Sequence, residues 1–256
     1  MTVRYCPQLN YDRCVRFYYQ LLSDSDRKAY REIYDAIKKM SEGIRFSDPD
    51  YYSYELCWKL FKAVILDNPA IFWVYFKISY TSYNTYAEIR FHYNLNIEKC
   101  KEYKNQVEKR TRTIYEKIVM LCSTEYDVEK SIHDYLTANV EYTTKPSYEY
   151  AHTLIGPLLH NKGVCEGISN CYNYLLNCFG IRCLSVVGNS DDNCRHMWNI
   201  VIINNTAYHV DVTFDLQCTS YPNNHTYFNI SFSRDVLYRL MRFSRFQPVF
   251  KRFHPF

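Results

Sequence analysis

The sequence contains little glycine and lacks several patterns that would assign it to a common class. Only 6 of its 256 residues are glycine, and no internal repeat or low-complexity segment is visible. There is no run of 18 apolar residues and no apolar leader at the N-terminus, so we expect a soluble, cytoplasmic protein without a membrane partner. No two cysteines have Cys-x-x-Cys spacing, which argues against a structural zinc site of the usual kind.

Cysteine and aromatic residues are abundant instead. Without a secretory leader, we interpret most of the 11 cysteines as small buried hydrophobic residues and not as a disulfide framework. The net charge of +4 comes from dispersed basic residues, so we expect no nucleic-acid partner. The 27 tyrosines suit half-buried positions, and they also suit a peptide- or sugar-binding surface.

The first part of the chain has two helix patterns followed by two strand patterns. Apolar residues with helical spacing predict a helix at 22–41, ended by Gly43, and a second helix at 54–67. Runs rich in aromatic and β-branched residues predict strands at 71–80 and 87–93.

A long amphipathic helix without glycine or proline follows this region. After it, Thr124 and Asp127 have the spacing of a capping box that opens another helix. We therefore expect an N-terminal helical and β region of unknown role at 1–95, a connecting helix at 96–123 and a C-terminal core at 124–256.

One cysteine differs from the others in its surroundings. Cys165 lies between Gly163 and Gly167 at the start of an apolar pattern with helical spacing. Unpaired backbone N–H groups at a helix N-terminus stabilise a thiolate and can bind an oxyanion. Cys171 and Cys178 lie on another side of the same predicted helix, where we expect core packing.

A reactive thiol also needs a base, and a predicted hairpin offers two candidates. Strands at 197–203 and 206–213, joined by a two-residue turn, would place Ile203 opposite Thr206 and His196 opposite Thr213. Residues alternate between the faces of a strand, so His196, Trp198, His209 and Asp211 would share one face. Either histidine is a possible base, and Asp211 could orient it.

These segments together resemble the transglutaminase-like superfamily in its short bacterial form. The resemblance covers roughly 127–215 and includes the order Cys, His, Asp. The matching segments are Ser131-Ile132-His133-Asp134-Tyr135-Leu136, Val140-Glu141-Tyr142, Gly163-Val164-Cys165-Glu166-Gly167, Tyr174-Leu175-Leu176, Gly180-Ile181, His196-Met197-Trp198-Asn199 and Tyr208-His209-Val210-Asp211-Val212-Thr213.

The resemblance implies a papain-like α+β core in which the nucleophile helix packs on an antiparallel sheet. It also implies Cys165 as nucleophile, His196 as base and Asp211 as the acid that orients it. The implied function is cysteine-dependent acyl transfer on a peptide or protein amide through a thioester, as a protease, amidase or transglutaminase. Tyr142 is a candidate second oxyanion donor, and Trp198 a candidate for walling the substrate site.

Other features limit what the resemblance implies. No acidic loop resembles the calcium sites of animal transglutaminases, so we expect no metal and no cofactor. A metal site at Cys165 and His196 is the least favoured interpretation. The main alternative is a non-catalytic module that retains the core and binds peptide or glycan through its aromatic residues.

Overall fold

The computed structural model describes residues 16–143, 145, 150–189, 194–217 and 225–231. Contacts divide the chain into two compact units. The first unit is Arg16–Gln106, and the second contains the described residues from Val107 onward. The limits at 95 and 123 expected from the sequence stay a prediction.

The first unit is a three-stranded antiparallel sheet with helices. The strand order is β1-β3-β2, and β3 pairs with both of its neighbours. Its elements are α1 (Phe17–Gln20), α2 (Asp24–Lys38), β1 (Gly43–Phe46), α3 (Tyr54–Asp67), β2 (Val74–Ser82), β3 (Ala87–Tyr93) and the first part of α4 (Ile97–Leu121).

The end of α2 differs from the expectation. The helix ends at Lys38, so the prediction that Gly43 ends it is wrong. Gly43 instead begins β1, a strand that the sequence did not predict. A Cβ at this position would lie 2.1 Å from the carbonyl oxygen of Ile89 on β3, so this close approach of two strands requires glycine.

The second unit contains a four-stranded antiparallel sheet, in the order β6-β7-β8-β9, and a short parallel pair, β4-β5. The mixture of helices and antiparallel sheet confirms the α+β class. Among the described residues, no helix is both long enough and apolar enough to cross a lipid bilayer. The elements after α4 are α5 (Glu125–Asn139), β4 (Glu141–Tyr142), α6 (Ile155–Leu159), β5 (Lys162–Gly163), α7 (Cys165–Cys178), β6 (Arg182–Asn189), β7 (Arg195–Ile203), β8 (Thr206–Val210), α8 (Val212–Gln217) and β9 (Ile230–Ser231).

Local signals correctly predicted two features of this unit. Thr124 and Asp127 form the capping box that opens α5. Asn204 and Asn205 both have positive φ, 48° and 64°, as a type I′ turn requires. The turn joins β7 to β8 with Ile203 opposite Thr206, which confirms the register expected for the hairpin.

The end of that hairpin is not as expected. β8 stops at Val210 and α8 begins at Val212, so the strand predicted at 206–213 is too long and His196 does not lie opposite Thr213. The reason is a helix cap. Oδ1 of Asp211 accepts a hydrogen bond from the N–H of Phe214 at 3.0 Å, which favours a helical turn over a continued strand.

Hydrogen bonds between buried groups join α7 to the four-stranded sheet. Oγ of Ser169 donates to the carbonyl oxygen of Met197 on β7 at 2.9 Å. Nδ2 of Asn199, also on β7, donates back to the carbonyl oxygen of Ser169 at 3.1 Å. Nδ2 of Asn173 reaches Oγ of Ser185 on β6 at 3.1 Å. The first half of α7 is therefore held in one position along the sheet.

We expect Gly167→Ala to destabilise the second unit. A Cβ at this position in α7 would lie 2.3 Å from the backbone oxygen of Ala151 and 2.9 Å from that of Thr153. Overpacking of this kind costs about 1–3 kcal/mol, enough to outweigh the better helix propensity of alanine. The measurement is the free energy of unfolding in urea. Asn170→Ala, at a half-buried position on the same helix, is the control and should change it little; an equal effect of both variants would contradict the expectation.

Candidate active site

Cys165 is the first residue of α7, and its thiol is half-buried. The chain enters the helix through β5, and the N–H of Val164 donates to the carbonyl oxygen of Ala151 at 3.1 Å. Gly167 lets the first helical turn approach that same oxygen closely. Cys165 therefore occupies a well-supported helix N-terminus, as the sequence predicted, and its sulfur is partly accessible.

The other cysteines with described positions lie in different environments. Cys171, on the same helix, is buried, and burial raises the pKa of its thiol. Burial also raises the pKa of Cys57 to about 11. These two thiols stay protonated at neutral pH, as expected for small core residues. Cys6, Cys14 and Cys218 lie outside the described residues.

His196 lies on β7 and contacts two of the predicted site residues. Its Nε2 is 2.6 Å from Oδ2 of Asp211, and both side chains are buried. Cys165 also lies close enough to this ring to interact with it and raise its pKa. Because Nε2 is directed at Asp211, Nδ1 is the ring nitrogen left for the thiol. The structure thus brings together Cys165, His196 and Asp211.

The electrostatics of this group favour a charged imidazole. Burial by itself lowers the pKa of His196, but the hydrogen bonds to Asp211 and Cys165 outweigh it and raise the pKa to about 9. At neutral pH, His196 is therefore protonated beside a carboxylate on one side and a thiol on the other. Such an imidazolium stabilises a thiolate.

His209, the other candidate base, has a different partner. Its Nδ1 accepts a hydrogen bond from Nε1 of Trp198 at 3.1 Å. Burial lowers the pKa of His209 to about 4, so this ring is neutral at physiological pH. The two histidines of this hairpin therefore differ in charge, because Asp211 stabilises the charged form of His196, whereas burial disfavours the charged form of His209.

Trp198 and Tyr142, the candidates for substrate contact and oxyanion binding, have different surroundings. Trp198 is buried, and its indole N–H is occupied by His209. Its ring lies nearly parallel to that of His196, with the ring centroids 6.1 Å apart, so here it supports the histidine. Tyr142 lies opposite Gly163 in the β4–β5 pair. Gly163 is two residues before Cys165 in the chain. Burial, and next the proximity of Cys165, raise the pKa of Tyr142, so its hydroxyl stays protonated.

The sequence interpretation missed two supports of the site. Phe214 stacks on the ring of His196, with centroids 4.5 Å apart and planes 9° apart. Asp215, the next residue along α8, has Oδ2 at 3.1 Å from Nε2 of His133 on α5. Both were missed because 206–213 was interpreted as strand. Aspartate is a common cap residue, but the local pattern at Asp211 does not separate a helix cap from a continued strand, and no local signal links Asp215 to His133.

Comparison with known families agrees with this geometry. Residues 112–212 match the model of the Transglutaminase-like superfamily, and this match includes Cys165, His196 and Asp211. The resemblance identified in the sequence is thereby confirmed. No curated protein shows significant sequence similarity to the chain.

Three solved structures are similar to this chain, each at 14% identity. A TGase matches over 59% of this chain and 47% of its own, with a TM-score of 0.39. A cysteine-protease candidate from Cytophaga hutchinsonii matches over 54% and 61%, with a TM-score of 0.37. A protease candidate from Parabacteroides distasonis matches over 53% and 35%, with a TM-score of 0.32. The chain spans less than two thirds of each of these structures.

The pKa difference between the two histidines can be measured by NMR titration of a histidine-labelled sample. We expect His196 to titrate near pH 9 and His209 near pH 4. Because the raised pKa exceeds the ordinary 6.5, protonation of His196 contributes stability that is complete below pH 6.5 and is lost as the pH rises through about 9.

The matched variant for this titration is Asp211→Asn. Loss of the carboxylate should lower the pKa of His196 because burial then acts with less opposition. The titration of His209 should not move, so it serves as an internal control, and His196→Gln and His209→Gln assign the two resonances. An ordinary pKa for His196 in the unmodified protein would contradict the structure.

Proposed function

We propose that this protein is a cysteine-dependent acyl-transfer enzyme that acts on peptide or protein amides through a thioester. The observation that carries the proposal is the contact of His196 with both Cys165 and Asp211. A half-buried thiol at a helix N-terminus, a protonated imidazole and a buried carboxylate are the parts that nucleophilic thiol catalysis needs. The transglutaminase-like domain at 112–212 supports the same reaction class.

The proposed reaction starts from the thiolate of Cys165 and the imidazolium of His196. Sulfur attacks the amide carbonyl, and the carbonyl oxygen becomes an oxyanion. His196 then donates its proton to the leaving amine as the C–N bond breaks, and a thioester remains on Cys165. Water or an amine next gives its proton to His196 and attacks the thioester; the C–S bond breaks, the product leaves, and the thiolate of Cys165 and the imidazolium of His196 are restored. Asp211 keeps the imidazole oriented and stabilises its positive charge throughout.

Two donors are proposed for the oxyanion. The first is the backbone N–H of Cys165, at the positive end of α7. The second is the hydroxyl of Tyr142, which the β4–β5 pairing holds near the nucleophile. Trp198 would act through His196, because its N–H already donates to His209.

Hydrolysis is the outcome we propose for the thioester, because nothing in the sequence marks a site for an amine acceptor. The substrate would be a peptide or protein amide. The functional alternative, a binding module without catalysis, predicts that Cys165 reacts no faster than other accessible thiols.

Thiol alkylation tests the nucleophile directly. With iodoacetamide at mildly acidic pH, we expect Cys165 to be modified before the exposed Cys194. At that pH, only a thiol whose thiolate form is stabilised reacts readily. Peptide mass spectrometry identifies the modified residue. His196→Ala should remove the preference for Cys165, whereas Cys194→Ser should leave it unchanged. Equal, slow labelling of all thiols in the unmodified protein would overturn the proposal.

A peptide library tests the reaction and its outcome. The protein is incubated with a proteome-derived peptide mixture, with and without a biotinylated primary amine, and the products are identified by mass spectrometry. New peptide termini or deamidated side chains would indicate hydrolysis, and incorporation of the amine would indicate transamidation. We expect hydrolysis products that are absent with Cys165→Ala. Peptide binding without any product would favour the binding module.

A further inference from the structure

A second group of chemically active side chains lies outside the proposed active site. His133 and Asp134 are adjacent on α5, and His225 belongs to the described segment that follows α8. Oδ1 of Asp134 is 3.2 Å from Nδ1 of His133 and 2.7 Å from Nε2 of His225. One potential ligand atom from each residue lies within 4.8 Å of the other two. Two imidazoles and a carboxylate thus converge from parts of the chain that are far apart in sequence.

The carboxylate of Asp215 orients the buried ring of His133 through Nε2, the ring nitrogen that does not face Asp134. Nε2 of His133 is 3.1 Å from Oδ2 of Asp215, and both side chains are completely buried. The other oxygen of Asp215 accepts the backbone N–H of Tyr227 at 2.9 Å, so the carboxylate cannot easily turn away. A hydrogen bond from Nε2 of His133 to Asp215 would leave Nδ1 of the same ring facing Asp134. A metal-binding histidine commonly has its second ring nitrogen paired in this way.

The arrangement calls for a cation at its centre. Nδ1 of His133 and Nε2 of His225 both face the same oxygen of Asp134, and His133 lies between two carboxylates. A cation among the three converging atoms would be within reach of both imidazoles and of the Asp134 carboxylate. Nζ of Lys130 neutralises the outer oxygen of Asp134, at 2.6 Å, but it does not stand between the three converging atoms.

We propose that Nδ1 of His133, Oδ1 of Asp134 and Nε2 of His225 bind one divalent first-row transition-metal ion, with zinc as the best fit. Two imidazoles and one carboxylate are a common zinc ligand set, and a fourth position would remain for water. Ligand atoms about 2.0–2.1 Å from a tetrahedral metal lie about 3.3–3.4 Å from one another. The observed 3.2 Å already has that spacing, and the half-exposed ring of His225 can move outward from 2.7 Å.

The neighbouring residues fit a metal site with a structural role. The ring of Phe228 packs against both imidazoles, with centroids 4.9 Å from that of His133 and 5.4 Å from that of His225, and gives the group an apolar wall. The metal would fasten the segment at 225–231 to α5. Through Asp215 it would also support α8, the helix that Asp211 caps. This proposal does not depend on the proposed function.

Cobalt binding tests the site in the full chain. The protein is treated with a chelator under reducing conditions and titrated with Co²⁺, whose visible absorption reports its ligands. We expect one equivalent to bind with nitrogen and oxygen ligands and without a thiolate charge-transfer band, and we expect Zn²⁺ to displace it. Thermal unfolding gives an independent readout, because a metal that binds only the folded state raises Tm.

Matched variants test whether Co²⁺ binds at this site and not at another. His225→Gln and Asp134→Asn should each weaken Co²⁺ binding by about tenfold or more and reduce the rise in Tm. His92→Gln, which changes a histidine of the first unit, and Cys165→Ala should leave both unchanged. His225 is partly exposed, so its variant should fold even if changes at the buried His133 do not. No cobalt binding, binding through thiolates, or unchanged affinity in both ligand variants would overturn the proposal.

Discussion

The geometry of this protein's candidate site depends on how the first turns of α7 are held against β7. Ser169 donates to the carbonyl oxygen of Met197, and Asn199 donates back to the carbonyl oxygen of Ser169. A buried group that lost its partner would cost about 1–3 kcal/mol, so a slip of the helix along the sheet is strongly disfavoured. Because Met197 follows His196 and Cys165 lies one turn before Ser169, the same bonds keep the thiol beside the imidazole.

The carboxylate of Asp211 keeps the imidazole of His196 positively charged. His196 and His209 belong to one hairpin and both are buried, yet one pKa is about 9 and the other about 4. The difference arises because burial disfavours the charged form of both rings and only His196 has Asp211 to compensate. The same carboxylate uses its other oxygen to cap α8. Asp211 therefore links the charge state of the site to the point where the strand gives way to a helix.

In each of the two groups of histidine and carboxylate in the second unit, an aspartate at or near the start of α8 orients a histidine. Asp211 at the cap of α8 orients His196, and Asp215 one turn later orients His133. The short helix α8 thus contributes an orienting carboxylate to each group. In the first, the histidine contacts a thiol, which suits acyl transfer. In the second, it meets a carboxylate and another histidine, which suits a metal ion. The two groups differ in what lies on the other side of the histidine: Cys165 in the first, and Asp134 with His225 in the second.

The sequence by itself determined the features that depend on near neighbours in the chain. Examples are the capping box of α5, the asparagine turn of the hairpin, the position of Cys165 at a helix start and the family of the segment at 112–212. Only the tertiary structure decided the end of β8, the need for glycine at Gly43, the pairing of His209 with Trp198 and the convergence of His133 with His225. These depend on which groups meet across space, and a carboxylate such as Asp211 has the same local pattern whether its strand continues or a helix begins.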